Sequence, residues 1–231
     1  MIKWYFEAWW QILARPIYFY STLKEENWRE KPFSFMLFTA WICAAAAAAA
    51  IFVIQYVPIG STLVEGVRGL KFVFILPVLV TLAAVFYIIT LLIVGGLMVA
   101  AYGLLCWAAA LSLHYIYCWL GGKGSLNRMV QSCLYSSAVF LVVLLPVFLS
   151  LLVRSGGLDF NLFRAGYNFF LLMALIFIYG LWSVAGRKNY DLPKWKAFAG
   201  AITPVIFLLI FYLLFDKMAS SKLQTWITPL K

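Results

Sequence analysis

Between Lys71 and Lys123 the chain runs for 51 residues without a charged side chain. A helix that crosses a bilayer takes about 20 apolar residues, so this run is too long for one span and just long enough for two. Two readings follow. In one, the chain turns at Gly95 and Gly96 to make a tight hairpin. In the other, residues 72–93 lie partly in the interface or dip in and out, kinked near Pro77, before one complete span ending at Leu120. A run of this kind has no place in a water-soluble domain. The whole chain agrees, with 65% hydrophobic and 11% charged residues, against about 45–50% and about 25% in globular proteins. The fold class expected is therefore an all-α integral membrane protein.

Other spans are expected at residues 34–57, 131–153, 167–185 and 197–215, from the same criterion of uncharged apolar length. Together with the long run they make a compact bundle of about five transmembrane helices, six if residues 72–120 form a hairpin. Pro58 and Gly60 are expected to end the first span. Residues 34–231 read as a single membrane domain, preceded by a cytoplasmic or interfacial segment over residues 1–33. Within that segment Ile2, Phe6, Trp9, Trp10 and Leu13 recur at helical spacing, while Lys3, Glu7 and Gln11 follow one another at intervals of four. This predicts an amphipathic helix lying flat in the headgroup region, ended by Pro16. It carries no short apolar core with a small-residue cleavage site, so it does not read as a signal peptide. Residues 21–32 alternate Lys24, Arg29 and Lys31 with Glu25, Glu26 and Glu30 and predict a solvated linker or short surface helix.

The net charge of +10 reflects loops held at an anionic membrane surface rather than nucleic-acid binding. Five spans with the amino terminus inside retain eleven of the eighteen basic residues, among them Lys123, Arg128, Arg187 and Lys188, which are the candidate contacts to cytoplasmic lipid headgroups. Six spans retain ten, and a turn at Gly95 and Gly96 lacks polar residues, so the count favours five.

No constellation of catalytic residues emerges. Cys43, Cys106, Cys118 and Cys133 lie in apolar stretches with no CxxC spacing, and His114 is the single histidine, so neither a metal nor another cofactor is expected. The eight acids fall in connections or at a span end, which argues against proton or sodium coupling. The sequence LGGKGS at residues 120–125 lacks the glycine spacing of a phosphate loop and reads as a flexible turn. Small residues share helix faces at Gly96, Ala100 and Gly103, at Ala197 and Ala201, and at Ala44 and Ala48 within seven consecutive alanines. Such faces let helices approach closely in lipid and are candidate packing or partner surfaces.

Two stretches carry a resemblance. The first is Ala14, Arg15 and Pro16, then Phe19, then KEENW at residues 24–28 ahead of the first span; the second is HYIYCWLGGKGSL at residues 114–126, leading into CLYSS at 133–137. Together they resemble the bacterial type of the Yip-domain family, relatives of the Ypt/Rab-interacting multipass proteins. The resemblance implies about five helices, a cytoplasmic amino terminus and no catalytic residues. The family's eukaryotic members have a longer amino-terminal region, so a GTPase-binding role is not implied for this chain. The functional expectation is a non-enzymatic accessory or scaffold subunit in the bacterial cytoplasmic membrane, binding other integral membrane proteins, in a larger complex or homo-oligomer, and membrane lipids. The alternative expectation is a channel or permease component for a lipid-like or small neutral solute, resting on Pro77, Pro146 and Pro204 as helix kinks.

Overall fold

The computed structural model describes residues 2–65, 67 and 70–228, and among them every regular element is a helix. Two short helices, α1 (Ile2–Ala14) and α2 (Pro16–Thr22), precede α3 (Lys31–Ile51), which passes through a π turn at Phe52–Tyr56 into α4 (Val57–Val64). Helix α5 covers Leu70–Trp119, and α6 (Leu126–Ser136) continues through a 3₁₀ stretch, Ser137–Val143, into α7 (Leu144–Arg154). Helices α8 (Phe160–Asn189) and α9 (Lys194–Ile227) complete the chain. Five helical segments are long and apolar enough to cross a membrane: Lys31–Thr62, Lys71–Trp119, Leu126–Arg154, Phe160–Asn189 and Lys194–Ser220. The protein is an all-α multipass membrane bundle.

The hairpin reading of residues 72–120 is overturned. The segment is one helix of 50 residues, about 75 Å long at 1.5 Å per residue, with no turn at Gly95 or Gly96. A glycine inside a helix costs about 1 kcal/mol relative to alanine. Breaking the ladder among apolar neighbours would orphan several backbone groups at a higher cost each. Gly95 instead serves packing, since a Cβ placed there would lie 2.5 Å from the Trp41 ring.

Pro58 and Gly60 do not end the first span either. The helix axis runs on to Val64 because the π turn immediately before Pro58 widens the ladder where the proline ring would meet the carbonyl of Ile54. Elsewhere the helices outrun the expected spans, α8 by seven residues at its start, since polar and charged residues continue a helix past the hydrocarbon edge.

Helix α1 forms as its periodicity predicts and also docks on the bundle by a second stripe. Its buried face is Tyr5, Ala8 and Ile12, turned onto α3 and the 3₁₀ stretch, while Ile2, Phe6 and Trp10 are exposed. The Thr39 hydroxyl donates to the Phe35 carbonyl and receives the Tyr5 hydroxyl at 2.9 Å; the Trp9 indole donates to the Ala138 carbonyl. With apolar residues on more than one stripe, the helix docks by one and leaves the other open.

Candidate functional site

At the Lys123 end of the bundle, three helices converge on Tyr117. Its ring fills the space over Gly186 of α8 and Gly200 of α9, where any Cβ would overlap it. Its hydroxyl donates to the carbonyls of Trp182 and Ala197, at 3.0 and 3.1 Å. One turn earlier His114 shares a hydrogen bond with the Tyr190 hydroxyl, which also reaches the Ser125 carbonyl at 3.3 Å. The Tyr190 ring rests on Gly122 and Gly124, which explains why LGGKGS needs its glycines, and Gly121 adopts a φ of 93°. Lys196 caps the end of α5 by donating to the Leu120 carbonyl at 2.8 Å.

A buried polar chain continues inward from there. Asn189 donates to the Ser132 hydroxyl at 2.7 Å, Ser132 to the Arg128 carbonyl, and the Trp182 indole to Ser136. These groups are hydroxyls, amides and an indole, suited to fixing helix register rather than to proton transfer.

The linker over residues 21–32 is not free in solvent. Residues 23–26 form an extended strap across the start of α6, where Arg128, Gln131 and Asn127 donate to the carbonyls of Leu23, Lys24 and Glu26. The Glu25 carboxylate accepts from Ser125 at 2.6 Å and Asn127 at 3.2 Å. These hydrogen bonds, Ser125 foremost, hold the Glu25 carboxyl below its ordinary pKa, at a helix start that also favours negative charge.

The opposite end, marked by Arg154 and Arg164, is built otherwise. Arg164 and Asp216 pair at 2.7 Å between α8 and α9, and Arg154 donates to the Thr228 carbonyl. Ile54 packs with Val153, Phe163 and Ile227 at this level, and Thr90 of α5 reaches the hydroxyl of Tyr56. The first twenty residues of α5 therefore stand beyond the ends of α7 and α8. They form an apolar hairpin with the π turn and α4, joined by the Tyr56–Phe86 stack (centroids 4.9 Å apart) and the Phe52–Tyr87 edge contact. Between these two arms lies an apolar groove of about 410 Å³, walled by Phe52, Tyr56, Gly60, Phe72, Ala83 and Phe86 among others.

The residues singled out from the sequence divide into three groups. Ala44, Ala48, Ala197 and Ala201 are fully buried, and their faces are occupied by the protein's own helices. Gly96 and Ala100 are open, while Gly103 approaches Met36, so that face stays largely free. Lys123, Arg128, Arg187 and Lys188 gather at one end as expected, but only Lys123 and Arg187 are exposed, and Arg128 is engaged with the strap. Sequence reasoning missed Tyr117 and Tyr190. The signal present was the pairing of each aromatic with glycines distant in sequence, which spacing along one helix does not display. No protein-family model, curated protein or solved structure matches this chain.

Proposed function

We propose that the chain is a non-enzymatic accessory or scaffold subunit that holds partner membrane proteins and lipid along the free half of α5. The observation that carries this reading is the exposure of Phe74 (78%), Val78 (66%) and Leu92 (60%) on a helix apolar on every side. A helix of that kind requires apolar neighbours all round, and among the described residues the ring contacts of its first half are to Phe52 and Tyr56 of the π turn. Integral membrane partners, or a second copy, and lipid tails supply the rest. The Yip-type signatures point the same way, with the amino terminus and the Lys123 end on the cytoplasmic face of a bacterial inner membrane. In that orientation Lys123 and Arg187 meet lipid phosphates.

Extraction in mild detergent followed by mass determination of the intact assembly tests this. A complex larger than one chain is expected, dissociated by Phe74→Asn, which places an amide on the free face. A strictly monomeric species with no copurifying partner rejects the reading.

A further inference from the structure

We infer that the cleft between α1, α2 and the strap binds a phosphodiester, with Lys24 and the Tyr135 hydroxyl donating to its free oxygens. The cleft has a volume of about 270 Å³ and is walled by Trp4, Gln11, Lys24, Glu26, Lys31 and Tyr135, with Phe19 and Leu23 beside them. Lys31 opens one apolar segment long enough to cross a membrane, Lys31–Thr62, and the strap crosses the start of another, Leu126–Arg154. The cleft therefore stands where two apolar runs give way to charge, and basic side chains at such a boundary meet lipid phosphates.

Tyr135 carries the argument. It is 5% exposed, its ring held by Phe19 and Phe35 with centroids 5.1 and 5.3 Å away. Nearby tyrosines spend their hydroxyls inside the protein, Tyr5 on Thr39 and Tyr20 on the Ser132 carbonyl. The Tyr135 hydroxyl has no hydrogen-bond partner among the described residues and faces the cleft that its residue lines. A hydroxyl so deeply placed is costly unless an occupant satisfies it. The free groups around it are donors as well: the Lys24 ammonium and the Gln11 amide make no hydrogen bond among the described residues, and Lys31 touches Glu26 only at 3.5 Å. The occupant must therefore bring several acceptor oxygens and negative charge. Two lysines against one carboxylate leave a surplus of one positive charge, which matches a diester better than the higher charge of a phosphate monoester. Phe19 and Leu23 offer apolar surface to the carbons on either side of the phosphorus. A phospholipid headgroup and a soluble glycerophosphodiester share this chemistry. The site is separate from Lys123 and Arg187 and needs no protein partner.

The test is native mass spectrometry of the full chain in detergent, titrated separately with dioleoylphosphatidylglycerol, dioleoylglycerol and water-soluble glycerophosphoglycerol. One phosphatidylglycerol should be retained per chain, and dioleoylglycerol, which lacks the phosphate, should not. Tyr135→Phe removes a hydroxyl that no protein group uses, so Tm without lipid should hold while binding weakens about tenfold. Lys24→Gln should weaken binding to a similar degree, and Lys123→Gln, outside the cleft, should leave it unchanged. Retention of glycerophosphoglycerol as well as the lipid upholds the inference with the diester alone as sufficient ligand; retention of the lipid alone upholds it with the membrane as the source. Retention of neither, equal retention of dioleoylglycerol, indifference to both cleft variants, or loss of binding in Lys123→Gln would overturn it. A monomeric mass in detergent would reject the scaffold reading alone and leave this result standing.

Discussion

From Tyr102 to Tyr117, α5 is met by α3, α6 and α9, and its contacts are specific: glycine against ring, hydroxyl against carbonyl, lysine against helix end. From Phe72 to Ile89 the same helix touches one partner arm through stacked rings and leaves most of its surface open. Both halves are apolar, and hydropathy alone does not separate them. What separates them is how uniquely each position is filled. The clamped half has one way to pack, because ring and glycine surfaces are complementary in shape and the hydroxyls meet particular carbonyls on neighbouring helices. The free half has only nondirectional apolar attraction, which many neighbours satisfy. Specificity for fold and availability for partners are thus partitioned along one helix.

The sharpest way to break this comparison is to make the same change in both halves. Gly186→Leu forces a side chain into the Tyr117 ring and should cost about 3 kcal/mol by overpacking, seen as a lowered Tm in detergent followed by near-UV circular dichroism. Gly60→Leu, in open space, should keep or slightly raise Tm by restoring helix propensity. Equal losses in both would mean that the halves are packed alike.

A smaller change isolates the directional part of the clamp. Tyr117→Phe keeps the ring and removes the donor to Trp182 and Ala197, so about 1–2 kcal/mol should be lost while Gly186 and Gly200 keep their fit. The corresponding change in the free half, Tyr56→Phe, removes only the 3.5 Å contact from Thr90 and should be close to neutral in the same melt.

The least effect concerns the strap at the clamped end. Hydrogen bonds from Ser125 and Asn127 hold the folded Glu25 carboxyl below its ordinary pKa, so its contribution is present above that ordinary value and is lost as pH falls through the folded pKa. Because the carboxylate is largely exposed, the contribution is small. Hydrogen exchange over residues 23–31 should rise as pH drops below 4.5 relative to intrinsic rates, with no change over 72–92, and Glu25→Gln should show the faster exchange already at neutral pH.

Much of the architecture was legible in composition and uncharged length: the helical class, the membrane setting, the five spans and the gathering of basic residues at one end. Each of these follows from the local cost of placing charge or unpaired backbone in hydrocarbon, which depends on the residue and its near neighbours alone. Sidedness of α1 was only half legible, because Tyr5, Ala8 and Ile12 compete with Ile2, Phe6 and Trp10 for the same core and periodicity weighs both stripes alike.

The rest was settled between distant segments. What packs on α5 at Gly95 depended on Trp41 of α3 seating there, and the role of LGGKGS depended on Tyr190 arriving from 65 residues beyond Ser125. Likewise the groove exists because a π turn ahead of Pro58 lets α4 continue beside α5. Sequence determined which residues must leave water, since that is a property of each side chain and its run. Tertiary structure decided which of them meet, since shape fit between a ring and a missing Cβ, or a hydroxyl and one carbonyl, exists only once the helices are side by side.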